Sequence, residues 1–337
     1  MSEPADTADT HDTADTHDTA DSGYTADTHD GEFVDLLGAR VHWVDFGLAP
    51  TGTAHYASTD TVEALCVLVH GLGGSTVNWE SLVPLLGRRL ACVALDLVGF
   101  GMTDPGTRTA SVPDNTDLLA AFVEGLRAVH PGIPLLLVGN SMGGLIAARY
   151  AARPGSDVAG LVLLDPTVPP ANFLPGPGGI LAAGLYAVPA VGQAAARARR
   201  TLRTPVQNVG DTLTLCTVDP SRVDPEVVQR HLPVAQRRVA HPEMDRHYSD
   251  AARSILGQLS RRRHTDRMFA SIGAPVLLIH GTRDRLVPFS GAVRMAGRNP
   301  RWRFAPAADC GHLPMLEHPA WTGRQMMAWW DAADVMD

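Results

Sequence analysis

The sequence predicts an α/β protein: a mostly parallel, eight-stranded sheet flanked by helices, with an insertion. Three observations carry this. From residue 33 onward, short apolar runs bounded by glycine and proline alternate with longer helical stretches, the rhythm of a mostly parallel sheet. One run, Pro134-Leu-Leu-Leu-Val138, passes through a glycine-rich turn at 139–144 straight into an alanine-rich helix. Between Asp165 and Arg267 the strand rhythm stops, a gap too long for a plain crossover helix.

In chain order, residues 1–31 form an arm built on the hexad Thr-Ala-Asp-Thr-His-Asp, which starts at positions 7, 13 and 25, with a degraded copy at 19. It has almost no large apolar residue to offset its ordering entropy, so a disordered acidic tail is predicted. Its histidines, His11, His17 and His29, read as part of a solvated low-complexity segment rather than as metal ligands. Phe33-Val-Asp-Leu-Leu37 and Arg40-Val-His-Trp-Val-Asp-Phe46 read as an antiparallel pair. Further strands are predicted at 64–70, 90–96, 134–140, 158–165, 275–281 and 302–308. Helices are predicted near 78–87, 116–130, 142–153, 289–298 and 319–333. The core thus comprises 32–165 and 268–337, and 166–267 is the insertion.

The two parts of the insertion differ. Residues 166–196 carry no charged side chain, yet prolines and glycines break them too often for a membrane span. Arg197, Arg199, Arg200 and Arg203 follow, and 166–267 hold fourteen arginines against eight acids. A solvated basic face is the first reading, with weak contact to a membrane surface as the second.

A length of 337 residues suits one large domain or a core with an insertion. The formal charge is −8, but residues 1–32 hold ten acids and no basic side chain, so the remainder is near +2. That balance offers nothing to nucleic acid. All 28 basic residues are arginine, which reads as compositional bias. Cys66, Cys92, Cys216 and Cys310 lack metal-ligand spacing and read as packing residues, with Cys310 close enough to His312 to line a site. The N-terminus lacks the pattern of a signal peptide. A cytoplasmic location, a small-molecule substrate, no transmembrane segment, no cofactor and no metal are expected.

The turn Gly139-Asn-Ser-Met-Gly-Gly144 matches Gly-x-Ser-x-Gly in the strand–turn–helix context that lifts a serine above a sheet. A serine hydroxyl needs a base, and the base needs an orienting acid. Asp284 follows the strand Pro275-Val-Leu-Leu-Ile-His-Gly281, and His312 lies in the loop Cys310-Gly-His-Leu-Pro314. Ser141, Asp284 and His312 are therefore candidate nucleophile, acid and base. Asp165, which ends its own strand, is the alternative acid. An oxyanion would be met by the N–H of Met142 and by a second from the glycine loop 71–74, assigned to Leu72. Trp79, Val287 and Leu313 follow these segments and are candidate pocket residues.

As a set, His70-Gly-Leu-Gly-Gly-Ser75, Asp96-Leu-Val-Gly-Phe-Gly-Met-Thr103, Gly139-Asn-Ser-Met-Gly-Gly144, Gly281-Thr-Arg-Asp284 and Gly311-His312 resemble a cap-bearing serine hydrolase of the α/β-hydrolase superfamily. The resemblance runs from residue 33 to the C-terminus. It implies that 166–267 form a helical lid, that His70 supports the oxyanion loop and that Asp96 braces the turn between Gly99 and Gly101. His280 and His318 read as structural. Relatives with aspartate as nucleophile, the haloalkane dehalogenases and epoxide hydrolases, are set aside by Ser141. Ester cleavage through an acyl-enzyme is the leading expectation. Hydrolysis of a carbon–carbon bond in ring-cleavage products ranks behind it. Those relatives share Gly-Asn-Ser-Met-Gly-Gly but usually carry Gly-Pro-Gly in the oxyanion loop and tryptophan after the catalytic histidine. A non-catalytic ligand receptor on the same fold is the third reading.

Deleting residues 1–30 is expected to leave activity and melting temperature nearly unchanged, because the repeat has nothing to bury. Calorimetry and turnover of the truncated chain check this, and a clear drop in melting temperature would show that the arm docks.

Overall fold

Strands buried on both faces must be apolar at consecutive positions, and five of the runs meet that demand. In the computed structural model, which describes residues 31–47, 62–87, 89–171 and 189–333, they form the centre of one eight-stranded sheet. The strands are β1 (Glu32–Leu36), β2 (Ala39–Asp45), β3 (Ala64–Val69), β4 (Leu90–Leu95), β5 (Leu135–Asn140), β6 (Gly160–Leu164), β7 (Val276–Gly281) and β8 (Arg303–Ala307). Their order is β1-β2-β4-β3-β5-β6-β7-β8. Only the β1–β2 and β2–β4 pairs are antiparallel. β3 to β7 are buried at every position.

Alternation along a strand divides the core into two. Leu65, Val67 and Val69 of β3 pack on one side, with residues of α1 (Val112–Val129) and α2 (Met142–Ala151). Ala64, Cys66 and Leu68 pack on the other, with Trp79, Leu82 and Met326. All four cysteines are free thiols and buried, as the reading of them as packing residues requires.

Between β6 and β7 lie α3 (Pro189–Leu202), α4 (Pro205–Cys216), α5 (Pro225–Ala240), α6 (Met244–Ser260) and α7 (Arg262–Ala270). Val209, Leu213 and Val227 of α4 and α5 join one core, and Ala251 and Ile255 of α6 join the other. The last of these helices runs to Ala270, past the expected end of the insertion at 267. The predicted arm, but for Gly31, and 172–188 of the uncharged part of the insertion lie outside the described residues. After β7 come α8 (Phe289–Arg298), the short α9 (Pro314–Glu317) and α10 (Pro319–Ala333). Among the described residues no helix is long and apolar enough to cross a membrane.

The helix expected near 78–87 is instead two short 3₁₀ turns, Thr76–Trp79 and Val83–Leu85. Pro84 lacks the N–H and the clearance that a continuous α-helix needs. The Asn78 side chain also accepts the Ser75 N–H at 2.8 Å, closing the first turn on itself.

Register places the site. Asn140 pairs with Leu164, Leu164 with Ile279, and Gly281 with Ala307. Four adjacent parallel strands therefore end together, and the loops that follow them open at one edge, where sites in such sheets gather.

Candidate active site

Ser141 follows β5 with φ 56° and ψ −118°, a backbone region that non-glycine residues rarely occupy. Its surroundings hold it there. The Ser141 N–H donates to Leu164 O at 3.0 Å, and its carbonyl accepts from Thr167 at 2.9 Å and Leu145 at 3.2 Å. The turn is too tight for side chains: a Cβ on Gly139 would lie 2.5 Å from Gly143 O, and one on Gly143 would lie 2.1 Å from Val69 O. Met142 opens α2, so its N–H belongs to the unsatisfied first turn of that helix.

His312 is tied to this turn by a residue that sequence reasoning missed. The Asn140 amide donates to Leu164 O and to His312 O, both at 3.1 Å. Its only sequence signal was a polar side chain ending an apolar strand. The His312 N–H donates to Cys216 O at 2.6 Å, which links the loop to the end of α4. Glu317 is a second missed residue. Its buried carboxylate accepts from Gly311 N at 2.7 Å, Val218 N at 2.8 Å and Asp219 N at 3.0 Å.

The His312 Nδ1–H donates to Asp284 Oδ2 at 2.7 Å. That bond fixes the tautomer and leaves Nε2 as the basic nitrogen. Asp284 Oδ1 accepts from Leu286 N at 2.7 Å and Val287 N at 3.0 Å. Burial pushes this carboxyl upward, but His312 and His280 outweigh burial and hold it below the ordinary carboxylate range. The Asp165 carboxyl lies beside the pair, and burial raises it well above its ordinary value. Asp165, Asp284 and His312 offer ligand atoms within 4.8 Å of one another. Two of these groups, His312 and Asp284, are hydrogen-bonded to each other.

The glycine loop lies against the serine: a Cβ on Gly71 would sit 2.9 Å from Ser141 Cβ. His70 supports the loop from below. Its Nδ1–H donates to Gly71 O at 2.7 Å, and Nε2 accepts from Leu97 N at 3.0 Å. Burial keeps this imidazole below its ordinary pKa, in keeping with a neutral ring. Asp96 braces both neighbouring turns, accepting from Thr76 N at 2.8 Å, Met102 N at 2.7 Å and His42 Nδ1 at 2.7 Å. Leu72 is half-buried on this loop. Val287 gives its N–H to Asp284 and its carbonyl to His280, so its backbone belongs to the site. Trp79 and Leu313 are buried in the core that also takes up α4 and α5. His318 meets Arg222 at 3.1 Å and Asp309 O at 3.2 Å, a structural role.

A serine on a strained strand–helix turn, with a histidine–carboxylate pair from the next strands, defines a class. The chain belongs to the alpha/beta hydrolase family, whose model matches residues 66–324, and it is a hydrolase of that fold. It is 27% identical over 274 residues to a 2-hydroxy-6-oxononadienedioate/2-hydroxy-6-oxononatrienedioate hydrolase of Burkholderia vietnamiensis, covering 78% of this chain and 86% of that protein. It is 26% identical over 275 residues to monoacylglycerol lipase abhd6-A of Xenopus laevis, covering 78% of this chain and 74% of that one. Its fold is similar to that of a thermophilic esterase from Thermogutta terrifontis, with TM-score 0.64 and 21% identity over 90% of this chain and 97% of that one.

Asn140→Ala is expected to cost about 1–3 kcal/mol of stability, because the His312 carbonyl loses its donor and Leu164 O keeps only that of Ser141. It should also lower kcat more than it raises KM, since the His312 loop loses its tie to the elbow. Urea denaturation and steady-state kinetics check both.

Proposed function

We propose that this protein is a serine hydrolase that cleaves carboxylic esters through an acyl-enzyme. The observation that carries the reading is the 2.7 Å bond between His312 and a fully desolvated Asp284 carboxylate, anchored beside the strained Ser141 turn. His312 Nε2 takes the hydroxyl proton as Ser141 Oγ attacks the ester carbonyl. Asp284 keeps the imidazole in its working tautomer and stabilises the imidazolium that forms. The N–H groups of Met142 and Leu72 meet the oxyanion. His312 then gives the proton to the leaving alcohol. Water, deprotonated by the same nitrogen, attacks the acyl-enzyme and returns Ser141 to its free state.

Residues 166–267 serve as a lid in this proposal. In this proposal Leu313 and Val287, with the described helices between β6 and β7, supply apolar wall for a lipophilic acyl group, and Trp79 is buried in the core. Similarity to a monoacylglycerol lipase supports an ester substrate. Similarity to a ring-cleavage product hydrolase favours a second reading, in which the same triad assists cleavage of a carbon–carbon bond.

A panel of p-nitrophenyl esters of rising chain length, run beside a dienone ring-cleavage product, separates the two. On the first reading kcat/KM rises about fourfold per methylene from acetate to medium chains, the equivalent of about 0.8 kcal/mol for each buried CH₂. A flat or falling series, with turnover of the dienone, would move the assignment to the second reading. Ser141→Ala is expected to remove about ten-thousand-fold or more of the turnover, since the three residues act as a unit. A variant keeping about a tenth of the activity would show that Ser141 is not the nucleophile.

A further inference from the structure

Several arginines between β6 and β7 meet a carboxylate, among them Arg203 at Asp211 and Arg230 at Glu80. Arg237 of α5 meets none among the described residues. Its half-buried guanidinium donates instead to two main-chain carbonyls of buried residues, Gly101 O at 2.7 Å and Thr103 O at 3.3 Å. Gly101 O and Met102 N belong to one peptide group, and that N–H donates to Asp96 Oδ2 at 2.7 Å. The peptide therefore stands between Arg237 and Asp96, bonded at both ends. Hydrogen bonds in such a chain polarise and strengthen one another.

Asp96 passes the contact on. Its Oδ1 accepts from Thr76 N at 2.8 Å, and Thr76 opens the 3₁₀ turn that follows the glycine loop 71–74. Three hydrogen bonds in series thus lead from α5 to the end of that loop. The next residue of α5 reaches the same loop by a second route. The Arg238 guanidinium lies 4.7 Å from the centre of the Tyr248 ring, and a Cβ on Gly73 would lie 3.3 Å from that ring. Phe100, beside Gly101, meets Tyr248 and His70 edge to face, at 6.4 Å and 6.0 Å between centroids. His70 in turn holds Gly71 O.

We propose that Arg237 is a positioning residue: by donating to the Gly101 carbonyl it holds the 101–102 peptide against Asp96, and so sets the glycine loop beside Ser141. The inference rests on the proposed function above, in which that loop supplies the second oxyanion donor. Arg237 acts through the loop and not on the reacting atoms. Without it the Gly101 carbonyl loses its donor, the peptide is held from one side only, and the loop N–H groups lose their fixed direction. The loop is fully set only while α5 is seated, so the helices between β6 and β7 contribute to rate as well as to binding.

Arg237→Met keeps an unbranched apolar stem and removes the donors. Well below the melting temperature, its rate of Ser141 labelling by a fluorophosphonate and its kcat on the best p-nitrophenyl ester should both fall about tenfold, with KM within about twofold. Labelling needs no knowledge of the substrate. Arg237→Lys, whose ammonium can donate to Gly101 O, should recover both rates to within about threefold. A double-mutant cycle with Asp96→Asn reads the coupling. In that background Arg237→Met should lower the labelling rate by about threefold or less, because the far end of the chain is already broken. Thr76→Pro removes the last bond of the chain at a first-turn position that accepts proline, and serves in the same cycle should Asp96→Asn not fold. Wild-type rates in Arg237→Met overturn the inference. So do additive losses in the cycle, a fall in melting temperature with rates unchanged, which marks a structural tie alone, or a rise in KM with kcat unchanged, which moves Arg237 to the substrate. A wild type that labels and turns over ester while its variants give any of these results leaves the triad reading standing. A wild type silent toward probe, ester and dienone overturns both.

Discussion

The carboxylate of Asp284 has no access to water, and a charge so placed must be compensated by groups around it. Two backbone N–H groups of its own loop, Leu286 and Val287, meet one oxygen, and His312 meets the other. The need for His312 at that spot constrains the loop after β8. That loop is held at three points: by Asn140 from the elbow, by the Cys216 carbonyl from α4, and by Glu317 through Gly311. His312 is thus fixed through its main chain, while its ring meets Asp284.

Asp96 solves a similar problem at the opposite side of the serine. Buried after β4, it is met by Thr76, Met102 and His42. In doing so it joins the 3₁₀ turn after the glycine loop to the turn through Gly101. A Cβ on Gly101 would fall 2.0 Å from the Asp96 carboxyl carbon, so only glycine fits there. His70 links this brace to Gly71, and Gly71 lies against Ser141. Rigidity at the glycine loop 71–74 is thereby drawn from a buried side chain rather than from regular secondary structure.

The helices between β6 and β7 are joined to the same framework. Cys216, at the end of α4, accepts from the His312 backbone, and Glu317 accepts from Val218 and Asp219 just beyond. On the other side, Arg237 of α5 donates to Gly101 O at 2.7 Å. A Cβ on Gly73 would lie 3.3 Å from the Tyr248 ring of α6. Movement of these helices would therefore be felt at both the His312 loop and the glycine loop.

Much of this was legible in the chain. Strands declared themselves because continuous apolar runs bounded by turn residues have few alternative structures. Ser141, Asp284 and His312 stood out because each sits in a short local pattern whose glycines are demanded by backbone geometry. The 3₁₀ turns at 76–85 were also local, and reading Pro84 as a breaker would have found them. The ties that turn three residues into a site were not legible. Asn140 and His312 are separated by 172 positions, and Asp165 and Gly281 by 116. Nothing in either neighbourhood states that such groups will meet. A hydrogen bond between distant residues is decided by sheet register and burial, and these exist only once the chain has folded. By itself the sequence determined which chemistry was present and on which strand end each group sat. Tertiary structure alone decided that two carboxyls and two histidines are brought together in one buried space.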